Sequence, residues 1–219
     1  MRTNGNSHPP PLKMDWTTIH IDPYAEPPWH RTELDQDIRE HLHIFTPENK
    51  PGTSLKLEWA DNHVEFYEEH KYNEDYVFIY TDGSLLHPSG TRMTGYGVVA
   101  YRGNEEIVIA NGALGEGVEV YDVEMKALEK AAKIVHRITT EKESTPPTNI
   151  IIASDNTGAI QRIFKGSPGI AQASSLKFRK CILEALDYNQ DLKIAIMWCP
   201  GHFDIEGNER ADTLAKKRT

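Results

Sequence analysis

Pro200-Gly201-His202-Phe203-Asp204-Ile205-Glu206-Gly207-Asn208-Glu209-Arg210-Ala211-Asp212 follows an apolar run, Leu192 to Trp198, that reads as a buried strand. It precedes Thr213-Leu214-Ala215-Lys216-Lys217, which reads as the rest of a helix. A histidine thus sits on a loop at a strand end, and Asp212 projects from the helix that follows. A histidine and a carboxylate so placed suit acid–base or metal chemistry at the open end of a sheet. A solvated loop before a capped helix produces the same pattern, so the rest of the chain has to decide.

Moving upstream, Asn149-Ile150-Ile151-Ile152-Ala153-Ser154 reads as a buried strand ending at Asp155. Asn156–Phe164 reads as a short helix stopped by Gly166-Ser167-Pro168-Gly169, and Ala171–Tyr188 as a longer one. Val123, Ala127, Leu128, Ala131, Ile134, Val135 and Ile138 recur at helical spacing, which predicts an amphipathic helix with Glu124 in its first turns. Before it, Tyr76–Tyr80, Tyr96–Tyr101 and Glu106–Asn111 read as three strands with short connections, hence an antiparallel meander. The first of them runs into Thr81-Asp82-Gly83-Ser84. The order βββ-α-β-α-α-β-α predicts an α/β (α+β) domain. Its sheet is mixed, antiparallel first and parallel later, with helices packed on it.

Residues 1–75 differ in character. Pro9-Pro10-Pro11, Pro23, Pro27-Pro28-Trp29, Pro47 and Pro51-Gly52 remove amide donors and block regular elements over residues 1–52. One short helix is expected near Glu33–His43, with Trp16, Ile19, Ile21 and Trp29 as anchors onto the following domain. The alternation in Ser54–Trp59 and His63–Tyr67 predicts a β-hairpin turning at Asp61-Asn62. His63 and His70, among acids, read as part of a solvated face. The expected division is a Pro-rich acidic extension, 1–75, and a domain, 76–219.

Net charge is −9, which argues at first against a nucleic-acid partner. Its distribution weakens that objection. Residues 1–75 carry 7 Lys+Arg and 15 Asp+Glu, whereas residues 76–219 carry 17 and 18. The two cysteines, Cys181 and Cys199, form no metal-ligand pattern and suggest reduced thiols in an intracellular protein. No apolar run is long enough to span a membrane, and Met1–Ser7 lacks the apolar core of a signal peptide.

Asp82 and Asp155 each close a predicted strand, where ligand chemistry gathers in α/β sheets. If those strands are parallel neighbours, both side chains meet at one rim. Glu124, early on the intervening helix, and Asp212, on the last one, reach toward the same place. Four acids together repel and raise one another's pKa unless a cation neutralises them. Hard oxygen ligands without a Cys or His cluster favour Mg²⁺ or Mn²⁺ over Zn²⁺. Two such ions about 4 Å apart suit cleavage of a phosphodiester. Taken singly, each acid reads equally well as a cap or turn residue.

Thr81-Asp82-Gly83-Ser84, Tyr121-Asp122-Val123-Glu124-Met125-Lys126-Ala127-Leu128, Ala153-Ser154-Asp155-Asn156 and the His202–Asp212 stretch together resemble the type 1 ribonuclease H family over roughly residues 76–217. The resemblance implies an RNase H-like fold, a five-stranded mixed sheet with helices on both faces. It implies an endonuclease cutting the RNA strand of RNA–DNA hybrids, with two Mg²⁺ held by Asp82, Glu124, Asp155 and Asp212 and His202 assisting. Gly83, Ser84, Asn156 and Thr157 are the expected hybrid contacts, reading shape and 2′-hydroxyls. Arg162, Lys165, Lys177, Arg179 and Lys180 are candidate phosphate contacts. The Tyr121–Met125 version and the Pro-Pro-Trp segment look like RNase H domains of retrotransposon polyproteins, which implies an upstream reverse transcriptase domain as partner. Glu119-Val120-Tyr121-Asp122 departs from the polar cluster of bacterial members, and no basic extra helix is present. A non-catalytic RNase H-like binding module therefore stays open beside the nuclease.

Overall fold

The computed structural model describes residues 41–48, 50–87, 90–91, 93–141, 145–163 and 171–217. Its elements are β1 (Leu42–Phe45), α1 (Thr53–His70), β2 (Tyr76–Leu86), β3 (Met93–Arg102), β4 (Glu105–Gly115), α2 (Val120–Thr140), β5 (Asn149–Ser154), α3 (Thr157–Ile163), α4 (Gln172–Tyr188), β6 (Lys193–Trp198) and α5 (Glu206–Lys216). They form one mixed sheet in the order β1-β6-β5-β2-β3-β4. β1, β6, β5 and β2 are mutually parallel, and β3 and β4 add as an antiparallel meander.

The sheet is six-stranded, which corrects the five expected. The additional strand, β1, pairs Leu42 with Ile194 and Phe45 with Met197 along the edge of β6. The helix expected near Glu33–His43 lies outside the described residues except at its end, where Leu42 and His43 belong to β1. Trp16, Ile19, Ile21, Trp29, Lys165 and most of the Gly166–Ala173 joint also lie outside them.

The hairpin expected over 54–67 is instead one helix, α1. Trp59, His63, Phe66, Tyr67 and His70 recur every three or four residues and turn toward the sheet, where they meet Trp198, Tyr80, Phe78 and Tyr76. The alternating Leu57 and Val64 face outward, Leu57 at 49 % exposure. Ser54–Tyr67 contains no glycine or proline with which to turn a hairpin, so the period of 3.6 wins over the period of two. His63 is buried, not on a solvated face. Its Nε2 is hydrogen-bonded to the Tyr80 hydroxyl at 2.9 Å, and burial holds its pKa down to about 4.

Two apolar layers sandwich the sheet. On one face α2, α3 and α4 cover Val77, Ile79, Val98, Ile150, Ile152, Ile194 and Ile196. On the other, α1 and α5 cover Phe78, Tyr80, Val99, Tyr101, Ile151 and Ala153. Strand β5 buries both faces, which is why it reads as an unbroken isoleucine run. A charged clamp ties α4 to α2. Buried Glu129 accepts from Lys126 at 2.8 Å and from Ser174 Oγ at 3.0 Å, and pairs with Lys133 at 2.8 Å. Burial opposes its ionisation, yet these partners hold its carboxyl down to about 2.

Helix α5 lies directly on β3. A Cβ built at Gly97 falls 2.1 Å from the Ala211 carbonyl oxygen and 2.6 Å from the Ala215 nitrogen. The obstacle is helix backbone, which cannot rotate away. The bidentate pair of Arg210 with Glu106, at 2.7 and 3.0 Å, pins the same helix to β4. Gly97→Ala is therefore expected to cost about 1–3 kcal/mol through overpacking and to lift Asp212 out of position. Chemical denaturation checks the loss, and an unchanged midpoint would show that α5 is not seated through this contact.

Candidate active site

The β2–β5 register decides where the acids fall. The last parallel pair is Thr81 with Ser154, so Asp82 and Asp155 are the next residues on adjacent strands. Asp82 does not end its strand as expected. β2 continues to Leu86, now paired only with β3, with Asp82 opposite Gly97. Asp82 thus marks the point where β5 leaves β2. The Trp198 indole N–H donates to the Asp155 carbonyl at 2.8 Å, and the Cys199 amide to the Ser154 carbonyl at 2.9 Å. These bonds fix the end of β5 against β6.

Glu124 arrives from the second turn of α2. A Cβ at Gly83 would lie 2.9 Å from both the Glu124 nitrogen and its Cδ, so only glycine lets β2 approach this closely. The Gly83 amide and the Asn156 side chain donate to the Glu124 carboxylate. Asn156 Oδ1 also accepts from the Ala159 amide at 3.0 Å, which caps α3. The cap of α3 is thus Asn156, one residue beyond Asp155, which the sequence alone offers as the cap. Oxygens of Asp82, Glu124 and Asp155 lie within 4.8 Å of one another.

Asp212 and His202 close the other side of the same cleft, of about 230 Å³, whose lining also includes Gly83, Ser84, Gly201, Asn208, Glu209 and Lys216. Asp212 is paired with Lys216 at 2.6 Å, one turn along α5. His202 is exposed and holds a left-handed φ of 62°. For a non-glycine residue that conformation is uncommon and marks a loop held in place by its surroundings. All five acid–base candidates therefore meet in one cleft. Of the four expected hybrid contacts, Gly83 and Ser84 line it, Asn156 touches Glu124, and Thr157 opens α3 beside it.

The electrostatics are those of a crowded anion site. Burial pushes Asp82 up to about 7, and the charges of Asp155 and Asp212 add to this, with Lys216 opposing. Burial, then Asp155 and Asp82, push Glu124 well above the ordinary carboxylate range. Asp155 is also raised by burial, with His202 pulling the other way. Glu124 is 4 % exposed, and its Oε2 has no hydrogen-bond partner among the described residues. A buried, unpartnered carboxylate oxygen beside two further carboxylates fits a divalent cation with hard oxygen preference. Asp82, Glu124 and Asp155 are the residues that would hold it, with Asp212 at the margin.

A model of the RNase H family matches residues 74–219. The chain belongs to the RNase H family. Among solved structures, it is similar to LC11-RNase H1 in complex with RNA/DNA hybrid (18 % identity, TM-score 0.49, covering 65 % of this chain and 95 % of that one). It is also similar to the N-terminal RNase H domain of Rv2228c from Mycobacterium tuberculosis (16 %, 0.46, 65 % and 98 %) and to RNase H1 from the archaeon Halobacterium salinarum (17 %, 0.42, 65 % and 96 %). A comparison with curated proteins found no match. No helix among the described residues is long and apolar enough to cross a membrane.

Two of the basic candidates are otherwise engaged in this RNase H domain. Arg162 is buried, and Arg179 Nε donates to the Ile163 carbonyl at 2.6 Å, closing the end of α3. Lys177 and Lys180 stay exposed on α4, where Lys180 pairs with Glu184 at 3.8 Å. Three cleft residues were missed in the sequence: Asn208, Glu209 and Lys216. Their spacing from Asp212, by four, three and four residues, places all of them on its face of α5, and that spacing was the available signal.

A carboxyl raised in the folded state stabilises the protein fully below its ordinary value of 3.8, and that contribution is lost as pH rises through about 7. In EDTA at pH 8, Asp82→Asn is expected to be more stable than the parent by on the order of 2 kcal/mol, with the gap narrowing below pH 7 and closing near pH 4. Mg²⁺ at pH 8 should raise the melting temperature of the parent more than that of the variant. Identical melting curves throughout would remove charge crowding from the site.

Proposed function

We propose that this chain is a divalent-metal-dependent endoribonuclease that hydrolyses the RNA strand of RNA–DNA hybrids. The observation that carries the reading is the meeting of Asp82, Glu124, Asp155, Asp212 and His202 in one cleft of an RNase H family domain, with a buried Glu124 oxygen left without a hydrogen-bond partner among the described residues. Mg²⁺, with Mn²⁺ as substitute and two ions in all, suits these oxygens. Such ions, when bound, supply activation of a water and stabilisation of charge on the leaving oxygen.

The protein supplies the rest. The Gly83 amide and Asn156 donate to Glu124 and orient its carboxyl, opposing part of the effect of burial. The β2–β5 register holds Asp82 and Asp155 side by side, so their carboxyls need no further ordering to act together. His202, exposed at the cleft mouth, gives a proton to the leaving oxygen or draws it from the attacking water. Backbone groups at Gly83 and Ser84, with Asn156 and Thr157, face the 2′-hydroxyls that separate RNA from DNA. The Tyr121–Met125 stretch and Pro27-Pro28-Trp29 support a retrotransposon origin, with a reverse transcriptase domain upstream in the same polyprotein.

The test is cleavage of a labelled RNA–DNA hybrid with Mg²⁺, with EDTA as control. RNA-strand cutting should fall to the EDTA level in Asp155→Asn, and by on the order of 10²-fold in His202→Ala. Cutting of duplex DNA should be absent. A folded protein that binds hybrid without cutting it in Mg²⁺ or Mn²⁺ would make the domain a binding module instead.

A further inference from the structure

Helix α1 precedes the residues matched by the family, yet it runs toward the carboxylate cleft. It lies antiparallel to β2. His70 packs on Tyr76 at 4.4 Å, Tyr67 on Phe78 at 4.9 Å, and His63 on Tyr80 at 5.5 Å between ring centroids. Each step back of about one helical turn advances two residues along the strand. The next contact is Trp59 on Trp198 at 5.5 Å, and the Trp198 indole holds the Asp155 carbonyl. One further turn back on the same face is Lys56, half-buried, three and four residues before Trp59 and Ala60. Lys56 therefore stands at the rim where β2 and β5 deliver Asp82 and Asp155.

We propose that Lys56 binds a backbone phosphate of the nucleic-acid substrate beside the cleft, so that an element upstream of the family domain completes the substrate site. The inference rests on the hybrid-nuclease reading. An ammonium on a long stem suits a phosphate as a point charge. Lys56 lies within electrostatic reach of Asp155. The first turn of α1, which carries Lys56, has no acid and its N-cap is Gly52, so the positive pole of the 18-residue helix lies at the Lys56 end. This supplies the grip that the acidic Glu119–Asp122 segment and the engaged Arg162 and Arg179 do not.

The experiment measures binding and turnover of the full chain. A fluorescent RNA–DNA hybrid is titrated in EDTA at several salt concentrations, and cleavage kinetics are measured with Mg²⁺. Lys56→Gln and Lys56→Ala should weaken binding by about 5–10-fold at low salt and reduce the slope of log affinity against log salt by about one. KM should rise with kcat nearly unchanged, and Lys56→Arg should restore both. Mn²⁺ binding, followed by electron paramagnetic resonance, should stay unchanged, which separates a phosphate contact from a residue that merely neutralises the carboxylates. Parental affinity and salt slope in Lys56→Gln, with the parent still cutting hybrid, would overturn the role of Lys56 and leave the nuclease standing. A parent that neither binds nor cuts hybrid would overturn both.

Discussion

Like charges do not gather at a half-buried rim of their own accord, and the molecule is arranged around holding them there. The parallel register of β2 and β5 brings Asp82 and Asp155 side by side. A slip of β2 by one residue would exchange Val77 and Ile79 of one layer with the larger Phe78 and Tyr80 of the other. The hydrophobic sandwich thus supplies the free energy that sets acids with raised pKa values next to one another. The same burial makes Glu124 and Asp82 reluctant to ionise without a counter-ion, so the structure is poised to take up cations.

The helices serve this rim in different ways. α2 brings Glu124 by close backbone approach at Gly83, where no side chain would fit. α5 brings Asp212 by lying on Gly97, and its other face is pinned by Arg210 and Glu106. α3 is too short to stand alone, and its cap, Asn156, is shared with Glu124. Packing and site geometry are therefore coupled through single residues, and stability and activity should respond together at several of them.

Much of this was readable in the chain. The isoleucine run of β5, the 3.6 period of α2 and the His202–Asp212 stretch each state their element through a strong local pattern, and Asp155 follows from the end of β5. α1 was misread because Leu55, Leu57 and Trp59 alternate by chance, while the face that packs, Trp59, His63, Phe66, Tyr67 and His70, mixes aromatics with histidines that count as polar. β1 was missed because four residues without periodicity carry no signal until β6 is there to pair with. Lys56 has no motif at all. Its place depends on the direction of α1, which only the tertiary packing onto Tyr76, Phe78 and Tyr80 determines.

The short strand β1 has one more consequence. It occupies the outer edge of β6, whose central residues Ile194 and Ile196 are among the most thoroughly buried in the protein. Without those four residues β6 becomes an open parallel edge, long enough and apolar enough to template pairing with another chain. A fragment trimmed to the family's own limits would lose this guard, along with α1 from the opposite layer. Its failure would then be one of self-association between molecules, quite apart from any question of chemistry in the cleft.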